Sequence, residues 1–151
     1  NHLGILSGLY GILRPLDLIQ PYRLEMGTKL TNDNGEDLYD FWGEELLNKA
    51  QDLVKDHKDK TIICLASNEY IKSIPIKKLE IPFVTCHFKE VKDGVPKTIG
   101  IFAKRARGMM ARFIIQNKIE TTEGLRRFNQ DGYVFESNLS DNKNLTFIRN
   151  Q

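Results

Sequence analysis

Five cations stand close together between Lys104 and Lys118 with no acidic residue among them: Lys104, Arg105, Arg107, Arg112 and Lys118. Paired guanidinium N–H donors grip phosphate or carboxylate, so such a run points to an anionic partner. A second pair, Arg14 and Arg23, lies in the segment Leu6–Leu30, with Glu25 and the aromatic rings of Tyr10 and Tyr22 nearby. A third group is Ser67-Asn68-Glu69-Tyr70. Ser67 and Asn68 offer hydroxyl and amide groups to a ligand, and Glu69 is a candidate base. Equally, Glu69 can complement a helix dipole or pair with an arginine.

The elements that must hold these groups follow from local pattern. On a helical wheel Ala103–Lys118 separates into two faces. Ala103, Ala106, Met109, Met110, Phe113 and Ile114 form the apolar one. Lys104, Arg105, Arg107, Arg112 and Lys118 form the other, with Gly108, Ala111 and Ile115 along its middle. Glycine inside a helix costs about 1 kcal/mol relative to alanine. Gly108 either lets a ligand or another backbone come close, or serves helix packing on an ordinary solvated face. The run Thr61–Ala66 is β-branched and apolar, the pattern of a strand buried on both faces of a parallel sheet. Ser67 or Asn68 then caps a short helix. Ligands of open α/β sheets bind beyond the carboxyl ends of strands, which is where Ser67–Tyr70 falls.

Elsewhere, spacing predicts a helix from about Phe41 to Val54. Strands at Ile81–Val91 and Val95–Phe102 should be joined by the turn Asp93-Gly94. A helix starts at Thr121 or Thr122. A last strand pair, Gly132–Glu136 and Leu145–Arg149, flanks the polar loop SNLSDNKN. Strands and helices alternate without a strict βαβ rhythm, which predicts an α/β fold: one mixed central sheet flanked by helices, in a single compact domain with a basic cleft. Leu6–Leu30 is apolar yet broken by Gly8, Gly11, Gly27, Pro15 and Pro21, so it is expected to be a buried irregular segment lining that cleft. Arg14 and Arg23 should then face Lys104 and Arg107.

Composition limits the function classes. With 151 residues, 40% hydrophobic and 28% charged, the chain has the balance of an ordinary globular protein. No apolar run approaches the roughly 20 residues of a membrane span. The net charge of +2 says little; its clustering says more. Cys64 and Cys86 sit in apolar strand-like runs and read first as small buried hydrophobes in a reducing compartment, with a disulfide or a metal pair as the alternatives, and cytoplasm is the default location. No G-x-S-x-G, P-loop or GxGxxG occurs. His2, His57 and His87 lack ligand spacing, and neither a cofactor nor a metal is called for. The chain begins at Asn1 and enters the apolar stretch at once, which reads as the start of a fragment.

Five motifs occur in order: LSGLYGILRPLDLIQPYRLEMGTKL, LYDFWG, LASNEY, AKRARGMMARFII and FNQDGYVF. In them the chain resembles the YaaA family of bacterial peroxide-stress proteins, from Leu6 to about Arg149. The resemblance implies the C-terminal portion of a longer chain, with an opening strand and a Ser-Pro-Ala-Lys motif preceding it. It implies a cytoplasmic role in surviving hydrogen peroxide by limiting free iron, a positively charged cleft, and DNA binding associated with a helix–hairpin–helix-like element. The hairpin candidate is Leu6–Gly11, where Gly8 and Gly11 can present amides to a phosphate.

Three functions follow as expectations. The first is DNA-backbone binding through Arg14, Arg23, Lys104, Arg105, Arg107 and Arg112, with Gly8, Gly11 and Ser67 contributing. The second is an enzyme acting on a small anionic, nucleotide- or phosphate-like substrate, with Glu69 as base and Asn68 orienting. The third, direct iron binding by Glu69, Glu25, His87 or the cysteines, has no paired His/Glu spacing behind it.

Overall fold

Phe83–Lys92 is the longest strand of the molecule, and its alternation sets the main sheet. Val84, Cys86, Phe88 and Glu90 are buried, while the residues between them are half-buried. The computed structural model describes residues 2–150, and the backbone contacts divide it into two compact units. One comprises the described residues of 1–60 and 66–82; the other comprises those of 61–65 and 83–151.

In the second unit, β3 (Ile62–Cys64) pairs parallel with β4 (Phe83–Lys92), and β4 pairs parallel with β7 (Asn144–Asn150). β5 (Val95–Lys97) returns antiparallel on β4, and β6 (Val134–Phe135) lies antiparallel on β7. The five-stranded sheet is therefore mixed, as the sequence predicts. The Asp93-Gly94 turn forms as expected, with φ of 53° and 75°, the pair of positive angles a two-residue hairpin demands. β5 is shorter than predicted. Pro96 lacks an N–H, and the chain turns at Ile99 into α4 (Gly100–Gln116), which takes over Gly100–Phe102.

Ala103, Ala106 and Met110 of α4 pack onto the sheet with Leu125 of α5 (Thr122–Leu125). Phe88, Phe128, Tyr133 and Phe147 complete this core through edge-on and stacked ring contacts. Thr121 caps α5 by accepting the Gly124 N–H. Cys64 and Cys86 are both buried. Burial, with a smaller effect of Cys64, pushes the Cys86 thiol up to about 12.

The first unit holds a two-stranded hairpin, β1 (Ile5–Ser7) and β2 (Gly11–Leu13). The helices α1 (Leu38–Trp42), α2 (Glu45–Val54) and α3 (Asn68–Ile71) belong to the same unit. The single helix expected from about Phe41 to Val54 is in fact two. Gly43, at φ 48°, ends α1 and donates its N–H to the Tyr39 carbonyl. Among the described residues no helix is long and apolar enough to cross a membrane.

Candidate anion-binding surfaces

The segment Leu6–Leu30 departs from its expected burial. Ser7, Gly11 and Met26 are buried, but Arg14–Pro15–Leu16 and Leu18–Arg23 are exposed, with Leu16 at 93% and Leu18 at 99%. The prolines and the missing strand ladder leave the backbone here to solvent, so the chain needs no buried partners for it. Its ends are fixed by side chains instead. Ser7 Oγ and Tyr22 Oη share a hydrogen bond of 2.5 Å, and the Tyr10 N–H donates to the same Ser7 Oγ. Tyr10 Oη accepts the Gln20 N–H, and the Tyr10 and Tyr22 rings meet edge-on.

Arg14 is paired with Asp17 at 3.0 Å on the surface. The hydrogen bonds from the Arg14 backbone and side chain hold the Asp17 carboxyl below the usual carboxylate range. Arg23 is exposed.

Gly8 and Gly11 lie in and beside the turn between β1 and β2, so the elements flanking the expected hairpin are strands rather than helices. Packing alone requires glycine at both. A Cβ on Gly8 would stand 2.6 Å from the Leu24 carbonyl oxygen. Gly11 has φ +73° and sits 3.0–3.1 Å from Leu46 and Trp42. Trp42 Nε1 donates to the Gly8 carbonyl, closing the turn.

At the Ser67–Tyr70 turn the expected cap forms: Ser67 Oγ accepts the Tyr70 N–H at 3.5 Å, opening α3. Glu69 Oε1 accepts the Gly27 N–H at 2.8 Å, so this carboxylate anchors the turn that Thr28 N–H and the Glu25 carbonyl close. Tyr39 Oη donates to the Glu69 carbonyl at 3.0 Å. Burial, then the charge of Glu69, raises the phenols of Tyr39 and Tyr70. Asn68 is exposed. Glu69, Asn68, Ser67, Arg14, Arg23, Gly8 and Gly11 all belong to the first unit.

The cationic group of the second unit rides on α4. Lys104, Arg105 and Arg112 are exposed and Arg107 is half-buried. None of the four takes part in an ion pair among the described residues. Gly100–Gln116 contains no acidic residue, and Ile99 supplies no side-chain cap. Helix N-termini favour negative side chains, so α4 runs against that preference and concentrates positive potential on one face. Gly108 lies exposed in the middle of this face, and beyond its chain neighbours and its own helix backbone no atom of the described residues comes within 4 Å of the position a Cβ would occupy. Helix packing therefore does not explain it, and the helix still bears the cost of a glycine.

A group that sequence reasoning passed over lies at the carboxyl ends of β4 and β7. Glu90, at 2% exposure, receives Arg149 Nε on Oε2 at 3.0 Å and the Tyr133 hydroxyl on Oε1. Arg149 Nη1 donates to Asp131 Oδ2 at 2.6 Å, and the guanidinium lies 4.9 and 4.8 Å from the Phe102 and Tyr133 ring centroids. Burial and the hydrogen bond to Glu90 raise the Tyr133 phenol; the Glu90 hydrogen bond also raises Arg149. Asp131 and Gly132 turn with φ of 53° and 76° between the Asp131 carboxylate and the Tyr133 ring, both of which contact Arg149. The signal was present in the sequence. Glu90 continues the alternation Val84, Cys86, Phe88, and Arg149 continues Leu145, Phe147. No group of three or more His, Cys, Asp and Glu side chains that could hold a metal ion occurs among the described residues.

The fold and surface thus define an α/β protein with a mixed sheet and a helix whose cations form no ion pair among the described residues. The sequence profile described as "Peroxide stress protein YaaA" matches residues 1–139, and the chain belongs to that family. It is 51% identical over 151 residues to a UPF0246 protein of Caulobacter vibrioides, covering 100% of this chain and 59% of the relative. A UPF0246 protein of Magnetococcus marinus is 54% identical over 149 residues, covering 99% and 58%. One of Legionella pneumophila is 50% identical over 149 residues, with the same coverage. The chain therefore spans well under two thirds of the length of these curated relatives.

Proposed function

We propose that this chain gives a cytoplasmic peroxide-stress protein a DNA-backbone-binding surface, and that the protein so placed helps limit oxidative damage by free iron. The observation that carries the reading is the face of α4: Lys104, Arg105, Arg107 and Arg112, without ion-pair partners among the described residues, on a helix with no acidic residue. Cations kept free of carboxylates remain available to displace the counterions of a polyanion. Contacts of this kind hold and orient a duplex without reading its bases, so binding is weakly sequence-specific. Gly8 and Gly11 keep their packing roles under this reading. The alternative, an enzyme using Glu69 as base on a small anionic substrate, draws less support because Glu69 Oε1 already accepts the Gly27 N–H.

The test is binding of the complete protein to labelled duplexes of unrelated sequence at fixed salt. The proposal expects affinities that agree within about threefold between sequences. Absence of binding to every duplex at low salt would remove it.

A further inference from the structure

Gly108 is ringed by cations one helical turn away: Lys104 and Arg105 stand four and three residues before it, and Arg112 four residues after it. From Lys104 to Arg112 the helix rises about 12 Å. The stripe continues to Ile101 and Ile115, seven residues to either side, exposed at 69% and 58%. At its centre Gly108 has open space where a side chain would be.

We infer that one sugar–phosphate strand crosses α4 at Gly108, with Lys104 and Arg105 reaching it from one side and Arg112 from the other; this rests on the DNA-binding reading above. The argument lies in where each kind of polyanion carries its charge. An acidic peptide bears carboxylates on side chains, which meet a cation while the two main chains stay apart. A phosphodiester bears its charge on the chain itself, so neutralising it draws that chain down onto the helix. A helix position without a Cβ gives it room. The exposed Ile101 and Ile115 then flank the crossing with apolar surface suited to sugar carbons.

The experiment compares the complete protein with its Gly108→Leu, Gly108→Ala and Arg105→Ala/Arg112→Ala variants, using a labelled mixed-sequence duplex and polyglutamate as probes. Leucine and alanine favour helix more than glycine, so both Gly108 variants should melt no lower than the parent. Gly108→Leu is expected to weaken duplex binding at least about tenfold while leaving the salt dependence unchanged, since the cations remain. Gly108→Ala should fall between the two. If Gly108→Leu binds duplex within about twofold of the parent while the arginine variant loses binding, the crossing at Gly108 is wrong and the DNA reading stands. If the arginine variant binds like the parent, the DNA reading itself fails. Tighter binding of polyglutamate than of duplex, with Gly108→Leu unaffected, would make the partner an acidic protein and overturn the inference.

Discussion

Glu90 and Arg149 face each other at the same register position of adjacent parallel strands, both on the side of the sheet that holds the core. Two opposite charges occupy places where the alternation of β4 and β7 calls for apolar residues, and each completes the other's hydrogen bonding. Removing one partner of a buried pair leaves the other uncompensated and costs about 3–5 kcal/mol, whereas replacing both with packed apolar groups is often neutral. Arg149→Met alone should therefore destabilise the protein by about 3 kcal/mol, and Glu90→Leu/Arg149→Met by clearly less than the two single changes together. Urea denaturation of the four proteins forms the cycle. Additive losses would show that the pair acts as two independent contacts.

Gly108 meets no neighbour, so its replacement removes a backbone cost without adding a clash. Gly108→Ala should stabilise by about 0.5–1 kcal/mol, read as a raised melting temperature. A lowered one would mean that something packs on this face in the folded state.

Glu69 ties α3 to the Glu25–Thr28 turn through the Gly27 amide. Glu69→Ala should speed hydrogen exchange at the Gly27 N–H by roughly tenfold and cost about 1 kcal/mol, at the low end for a charged but exposed acceptor. Glu69→Gln keeps a carbonyl acceptor and should preserve most of the protection. Unchanged exchange in both variants would remove the anchoring role.

Alkaline pH should erode stability. The Cys86 thiol and the phenols of Tyr39, Tyr70 and Tyr133 are all raised in the folded protein. Above the ordinary values of 9.0 for the thiol and 10.0 for the phenols, the unfolded chain releases these protons while the folded one keeps them. The folded state then binds more protons, so unfolding free energy falls as pH rises. Each group contributes up to about 1.4 kcal/mol per pH unit until its folded value is passed. Cys86→Val should flatten the fall that begins near pH 9, as followed by melting temperature. A parent protein equally stable at pH 8 and pH 10.5, both values spanning about the titration range, would contradict the assignment.

Local chemistry made much of this readable from the sequence. The Ser67 cap, the Asp93-Gly94 turn and the two faces of α4 depend on neighbours a few residues away, and they form as their patterns require. The Glu90–Arg149 pair joins residues on strands far apart in the chain, and only their alternation marked them. In the Arg14–Arg23 stretch apolar composition does not mean burial. Its prolines and turns leave Leu16 and Leu18 in solvent, where no periodic face gathers them against a core. Glu69 shows the same limit: its residue type fits a base, but its geometry commits it to a main-chain amide.

The central claim is that the free cations of α4 bind a nucleic-acid backbone, and salt titration of duplex affinity tests it most directly. Four neutralised phosphates, one each for Lys104, Arg105, Arg107 and Arg112, predict that log K falls with log salt at a slope of about −3.6. Arg105→Ala/Arg112→Ala should reduce the magnitude of that slope by about 1.8 without altering the fold. A slope near zero, or one left unchanged by the double substitution, would contradict the account.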